Sequence, residues 1–293
     1  MRTGRKGTEM ARQFEPWQIA ERSIIKKYRK QLWNPFIAAV KRYQLIAPGD
    51  KIAVCISGGK DSMLMAKLFQ ELLRHSEFPF EAVYLVMDPG YSPANRAKIE
   101  SNAALLHIPV TIFETNIFEA ADHAEQHPCY LCARMRRGYL YRKAQDLGCN
   151  KIALGHHLND VIETTVMAMF YSSQLQGMMP KLKSRNFPGM ELIRPLYCVL
   201  EEDIIRWARF NHLEFLQCAC RFTENDASPS SHVQSKRREI KDLIRSLKAQ
   251  NPDIEKSIFN ALHDVCIETF PGLKDSAGEH SFLEYYNSGS REL

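Results

Sequence analysis

Residues 51–62, Lys-Ile-Ala-Val-Cys-Ile-Ser-Gly-Gly-Lys-Asp-Ser, decide the reading of the fold. Lys51–Ser57 (KIAVCIS) is a nearly continuous apolar run of strand length, and a strand without polar alternation belongs to a sheet covered on both faces. Ser57–Ser62 (SGGKDS) interrupts it with two glycines, and MLMAKLFQELLRH then continues at helical spacing. A strand, a Gly-Gly turn and a helix in that order form a phosphate cradle. The glycines Gly58 and Gly59 let backbone N–H groups approach an anion, the Ser57 and Ser62 hydroxyls add donors, and the helix N-terminus adds positive dipole. Lys60 can neutralise charge, and Asp61 places a carboxylate where Mg²⁺ would meet a nucleotide. An ordinary strand-to-helix turn with a serine cap accounts for Gly-Gly alone, whereas the complete string after a buried strand favours the cradle. It is not the Walker A pattern, which requires Gly-x-x-x-x-Gly-Lys-Ser/Thr.

Working outward, Ala82–Asp88, Pro109–Thr115, Lys151–His157 and Glu191–Leu196 are further apolar stretches of strand length, most of them separated by helical patterns. This predicts an α/β fold with a doubly wound parallel sheet of about five strands, because right-handed crossover helices must cover both faces. Ligands on such sheets bind at the carboxyl ends of strands. Gly155-His156-His157 ends the fourth predicted strand, and Asp160 opens a helix (DVIETTVMAMFY). A histidine pair at that edge is read as a nucleotide contact through His156 or His157, with Asp160 as a helix cap.

The 293 residues carry 39 Lys and Arg against 34 Asp and Glu, for a net charge of +5, with 45% hydrophobic residues. That is a soluble globular composition. No apolar run approaches the roughly 20 residues that span a bilayer, and no hydrophobic stretch follows the basic N-terminus, so no membrane association and a cytoplasmic location are expected. Residues 1–50 hold eleven Lys and Arg against four Asp and Glu, which points to an anionic partner. Within them Ile24, Ile25, Tyr28, Leu32, Phe36, Val40 and Tyr43 recur at helical spacing among cations, predicting two basic amphipathic helices divided near Pro35. The Arg134–Lys143 run and a helix over Val233–Gln250 add more positive charge, while residues 275–293 are expected to be poorly ordered. The implied organisation is a basic helical N-terminal segment (1–48), a central domain (49–225) and a basic helical C-terminal extension with a flexible tail (226–293).

Eight cysteines are too dilute for a disulfide scaffold. Cys129 and Cys132 have the CxxC spacing shared by zinc, iron–sulfur and redox sites, and Arg134, Arg136 and Arg137 behind them favour thiolate. Cys218 and Cys220 are the candidates for a third ligand. Three thiolates hold a four-iron cluster at three irons and leave the fourth open, whereas structural zinc takes four protein ligands. Cys55, Cys149, Cys198 and Cys266 are read as core residues. Tyr130, Tyr139 and Tyr141 are read mainly as packing residues, with base stacking as the weaker alternative.

SGGKDS resembles the pyrophosphate loop (PP-loop) of the ATP pyrophosphatases, whose sheet is adenine nucleotide alpha-hydrolase-like. The ordered set SGGKDS (Ser57–Ser62), CYLC (Cys129–Cys132) leading into Arg134–Gly138, LGHHLND (Leu154–Asp160), MFYSSQLQGMMPKL (Met169–Leu182), Arg194-Pro195-Leu196 and Cys220 resembles the tRNA 2-thiocytidine (cytidine-32) synthetase family. The sequence departs from that family's pattern at Asn159, where an acid is common, and at Met87-Asp88-Pro89-Gly90. The resemblance implies activation of a tRNA cytosine by ATP and Mg²⁺, then sulfur insertion through a 4Fe–4S cluster on Cys129, Cys132 and Cys220, with Cys218 as the alternative third ligand. It also implies a sulfur donor such as a cysteine desulfurase, and allows a homodimer. Two other classes compete with it. A lysidine-type or amide-forming ligase would need no cysteine set, and a zinc-containing tRNA-binding protein would need no SGGKDS.

Overall fold

The computed structural model of the chain describes residues 14–118, 128–216 and 231–287. Strands β1 (Lys51–Ile56), β2 (Glu81–Asp88), β3 (Val110–Glu114), β4 (Lys151–Ala153), β5 (Lys181–Lys183) and β6 (Glu191–Ile193) form one sheet in the order β3-β2-β1-β4-β6-β5. β1 pairs in parallel with β2 (Ile52↔Ala82) and β4 (Val54↔Ala153), and β4 with β6. The five parallel strands are those expected. A sixth, β5, lies antiparallel on β6 with Leu182 opposite Leu192. Its sequence, Lys-Leu-Lys, has one apolar residue between two charges, the composition of an edge strand, and so leaves no apolar run to detect.

Two predicted strands end early. β4 stops at Ala153 instead of His157, and β6 at Ile193 instead of Leu196. After β4 the chain leaves the sheet to pass the first turn of α3 (Lys60–His75), so closely that a Cβ on Gly155 would lie 3.2 Å from the Ser62 amide nitrogen. Strand order reverses between β1 and β4, and the crevice at their carboxyl ends is where an open α/β sheet binds its ligand.

The other helices that frame this crevice are α4 (Pro93–Leu105), α5 (Pro128–Asp146), α6 (Leu158–Ser172) and α7 (Glu201–Phe210). On the N-terminal side α1 (Pro16–Ile25) and α2 (Asn34–Arg42) are divided by a π-helical turn at Arg29–Trp33, close to the expected break. Pro35 lies in the first turn of α2, where its missing N–H costs no helical hydrogen bond. Ile24, Leu32, Phe36 and Val40 are buried, as their spacing predicts. Glu21 anchors α1 to α3 through Lys67 Nζ (2.6 Å) and Arg74 Nη2 (2.7 Å). Burial opposes its ionisation, but Arg74 and Lys67 hold its carboxyl below the ordinary range.

The chain divides into two units, Met1–Lys241 and Asp242–Leu293. The expected boundary at 225–226 lies outside the described residues. α8 (Ser231–Gln250) begins in the first unit and ends in the second. The second unit contains α9 (Ile254–Ala261), the hairpin β7 (Gly272–Lys274) and β8 (Glu279–Ser281), and α10 (Leu283–Asn287). Of the residues expected to form a poorly ordered tail, 275–287 include β8 and α10. Asp275 organises the turn by accepting from the Ala277 amide (2.7 Å), and His280 lies 3.2 Å from both Asp275 and Glu284. Among the described residues no helix is long and apolar enough to cross a membrane.

Candidate active site

The turn after β1 adopts the predicted cradle geometry. Gly58 has φ +86°, and a Cβ there would lie 2.6 Å from Ile99 Cγ1, so only glycine fits. Ser62 Oγ accepts from the Ser57 amide (3.2 Å) and contacts Ser57 Oγ (3.3 Å), closing the loop on itself at the N-terminus of α3. Asp61 Oδ1 is buried and accepts no hydrogen bond among the described residues, with Lys60 Nζ at 3.2 Å and His157 Nε2 at 3.9 Å as its charged or polar neighbours. A carboxylate oxygen of this kind is a donor type that Mg²⁺ takes.

Gly155–Asp160 arrives beside this loop. His157 caps α6 reciprocally with Asp160: the His157 amide donates to Asp160 Oδ2 (3.0 Å), and the Asp160 amide donates to His157 Nδ1 (3.3 Å). The cap therefore leaves His157 Nε2 facing Asp61 Oδ1, at 3.9 Å. Burial opposes ionisation of Asp160, but His157 and Arg237 beside it hold its carboxyl below the ordinary range. His156 Nδ1 is buried without a hydrogen-bond partner among the described residues, and burial pushes its pKa down to about 4 against the pull of Asp160.

Three further contributors are Glu201, which carried no sequence signal, and Asn159 and Asp88, which stood out in the sequence only as departures from the family's pattern. Glu201, the first residue of α7, lies 3.0 Å from Lys60 Nζ and 2.6 Å from Lys241 Nζ. Burial disfavours its charge, yet Lys241 and Lys60 bring its pKa down to about 2. Burial likewise opposes the Lys60 ammonium, while Asp61 and Glu201 raise its pKa. Asn159 Oδ1 accepts from the Glu201 amide (2.9 Å), which ties the start of α7 to the start of α6 at the position where the family commonly has an acid. Asp88, at the end of β2, accepts from the amides of Gly90 (2.9 Å) and Tyr91 (2.7 Å) and pairs with Arg96 (2.7 Å). These bonds fix the turn that carries Tyr91.

A cleft of ≈ 920 Å³ opens over the loop, lined on one wall by Ser57, Gly59, Lys60 and Asp61 and elsewhere by Tyr91, Arg136 and Leu216. Arg136 comes from α5, the helix whose first turn contains Cys129 and Cys132 three positions apart. Its Nε is buried without a hydrogen-bond partner among the described residues. Leu216 donates its amide to Gly58 O at 3.3 Å. The third-cysteine candidates Cys218 and Cys220 lie outside the described residues. Cys55 and Cys149 are buried and Cys198 is half-buried, but Cys266 is exposed, correcting its assignment to the core. Tyr141 is buried and stacks on Phe187 with centroids 5.0 Å apart, a packing role.

Residues 24–221 match the PP-loop domain family. The chain is 35% identical over 244 residues to the tRNA-cytidine(32) 2-sulfurtransferase of Geobacter metallireducens, an alignment covering 82% of this chain and 91% of that protein. The chain belongs to the tRNA-cytidine(32) 2-sulfurtransferase family of PP-loop proteins. A member from Neisseria meningitidis serogroup C is 34% identical over 242 residues, covering 82% of this chain and 73% of that protein. The fold of the family is shared with the U34-tRNA thiolase NcsA of Methanococcus maripaludis, solved with its 4Fe–4S cluster. That match has a TM-score of 0.63 and 19% identity, covering 93% of this chain and 90% of that one.

Proposed function

We propose that the chain is an ATP-dependent tRNA sulfurtransferase that activates the C2 oxygen of a tRNA cytosine and replaces it with sulfur, giving 2-thiocytidine. One observation carries the reading: a single cleft is lined by the phosphate loop and by Arg136 and Leu216, which flank the two cysteine-bearing segments in sequence. Arg136, one helical turn beyond the CxxC, lines it together with Ser57, Lys60 and Asp61, and Leu216, two and four residues before Cys218 and Cys220, is bonded to Gly58. A ligase that uses an amine nucleophile has no need of the Cys129, Cys132 and Cys220 set.

In this reading the amides of Ser57–Ser62 and the N-terminus of α3 hold the ATP phosphates, Lys60 neutralises the departing pyrophosphate, and Asp61 holds Mg²⁺. The cytosine C2 oxygen attacks the α-phosphorus and pyrophosphate leaves. A thiol reduces the persulfide of a donor such as a cysteine desulfurase, forming a disulfide and releasing sulfide, which then displaces AMP from C2. His157, held by its cap, keeps Nε2 toward Asp61, and the Gly155 backbone packs against the α3 N-terminus. The donor set Cys129, Cys132 and Cys220 is all sulfur and one short of a closed zinc site, which fits a 4Fe–4S cluster. When bound, such a cluster supplies an iron open to exogenous sulfide.

The test is anaerobic purification of single Cys→Ala proteins with iron counting, alongside mass spectrometry of tRNA nucleosides from a deletion strain carrying each variant. Cys129→Ala, Cys132→Ala and Cys220→Ala are expected to lose iron and 2-thiocytidine together, and Cys218→Ala to keep both. Loss in Cys218→Ala with Cys220→Ala unaffected would move the third ligand by two residues. Full thiolation by a protein containing zinc and no iron would replace the cluster with a cysteine persulfide.

A further inference from the structure

A closed circuit of charged contacts leaves α8, passes through the phosphate loop and returns. Arg237 and Lys241 stand four residues apart on α8, a spacing that puts both on one helix face. Lys241 Nζ lies 2.6 Å from Glu201 Oε2, and Glu201 Oε1 lies 3.0 Å from Lys60 Nζ. Lys60 is 3.2 Å from Asp61, and Asp61 is 3.9 Å from His157 Nε2. His157 Nδ1 is 3.5 Å from Asp160, and Asp160 is 2.5 Å from Arg237, which also holds Glu163 at 3.0 Å. Both α8 cations lie beyond the residues 24–221 that match the PP-loop domain.

We infer that Lys241 is a positioning residue for the phosphate loop: it shares the Glu201 carboxylate so that Lys60 is free to turn to a nucleotide phosphate, while Arg237 anchors α8 in place. The physical reason is the burial of Glu201, whose side chain is 16% exposed. If Lys60 were its sole cation, moving Lys60 to a phosphate would strand a largely buried carboxylate, and that cost would weaken nucleotide binding. Because Lys241 binds the other carboxylate oxygen, Glu201 keeps a partner whichever way Lys60 points. The inference rests on the proposed binding of ATP at Ser57–Ser62.

The experiment uses the full-length protein and measures kcat and KM for ATP in tRNA-dependent pyrophosphate release, with direct binding of a non-hydrolysable ATP analogue beside it. Lys241 is 41% exposed, so Lys241→Met leaves the core intact. It is expected to raise KM and the analogue Kd about three- to tenfold with kcat changed less than about twofold, the size of a partly screened charge pair. Lys241→Arg should restore both constants. In a Glu201→Gln background, Lys241→Met should have no further effect, because no carboxylate remains to be shared. An unchanged KM and Kd in Lys241→Met, or failure of Lys241→Arg to restore them, overturns the inference, as does an equal rise in the Glu201→Gln background. Lys60→Met separates the two levels. If it weakens ATP binding while Lys241→Met does not, the positioning role alone fails; if neither it nor changes at Ser57 affect ATP, the site itself is wrong.

Discussion

Lys26, Arg29, Lys30, Lys41 and Arg42 stand exposed on the N-terminal helices, and none is ion-paired with a described carboxylate. On α8, by contrast, Arg237 and Lys241 meet Asp160, Glu163 and Glu201, while Arg245 pairs with Asp242 (2.7 Å) and Lys248 with Glu255 (2.6 Å). In sequence, both segments are basic amphipathic helices suited to nucleic acid. Folded, one keeps its cations in water and the other has given most of its cations to protein acids. The first retains more of the charge whose neutralisation by RNA phosphates releases counterions. Within residues 16–42 the acid is Glu21, which is buried and engaged by Lys67 and Arg74, so it does not offset the exposed cations.

The largest test of this contrast is charge reversal at Lys26, Arg29, Lys30 and Lys41, leaving Lys27, which sits 3.6 Å over the Phe210 ring. Affinity for tRNA at low salt should fall by about two orders of magnitude, and the log–log salt slope should drop by about 0.7 to 0.9 for each phosphate no longer neutralised. Filter binding across a salt series measures both. An unchanged slope would make the N-terminal face no more than a solvated one.

The matching change on α8, Arg237→Ala, should reverse the pattern. It leaves Asp160 and the buried Glu163 without their cation, and burial already raises the Glu163 pKa against the pull of Arg237. Because Arg237 is 44% exposed, the loss is expected near the low end for a broken buried pair, about 1 to 2 kcal/mol in urea unfolding. The tRNA salt slope should stay at the wild-type value. A lowered slope with undiminished stability would return α8 to the RNA-binding surface.

Acid should weaken the site contacts around α8 in a graded way. Glu201 falls from an ordinary 4.5 to about 2 in the folded chain, so its contribution is complete above about 4.5 and is lost as pH falls toward 2. His156, pushed down from 6.5 to about 4, adds an earlier loss between those values, because the unfolded chain binds that proton first. Thermal melts from pH 7 to 3 should therefore decline in two stages. His156→Gln should remove the upper stage, and Lys241→Met should shrink the lower one.

The smallest effect is expected at Lys236, which lies 4.8 Å over the exposed Tyr171 ring and has no described carboxylate partner. Lys236→Ala should change stability by no more than about 0.5 to 1 kcal/mol. Lys236 and the exposed Arg238 are the α8 cations without a described carboxylate partner, so if Lys236 meets RNA the salt slope of Lys236→Ala should fall by the share of a single phosphate.

What could be read without a structure was whatever the chain writes locally. The apolar run of β1, the glycines that permit φ +86° at Gly58, the serine hydroxyls of the loop and the resumption of helical spacing lie within a few residues of one another, and each restricts the same backbone. The sheet class, the tight turn after β1 and the buried faces of the N-terminal helices follow from such short-range patterns, whereas the helix cap falls on His157 with Asp160 three residues inside, not on Asp160 as read from the sequence. The tertiary structure alone decided that Lys-Leu-Lys would close the sheet edge, that β4 would stop at Ala153 to let Gly155 pass α3, and which basic helix would keep its charge. Glu201 reaches Lys60 across 141 residues of sequence, and Arg237 reaches Asp160 across 77. A lone carboxylate or guanidinium has no period and no preferred neighbour in sequence. Its partner is set by how helices pack on a sheet, and that packing is cooperative across the whole domain.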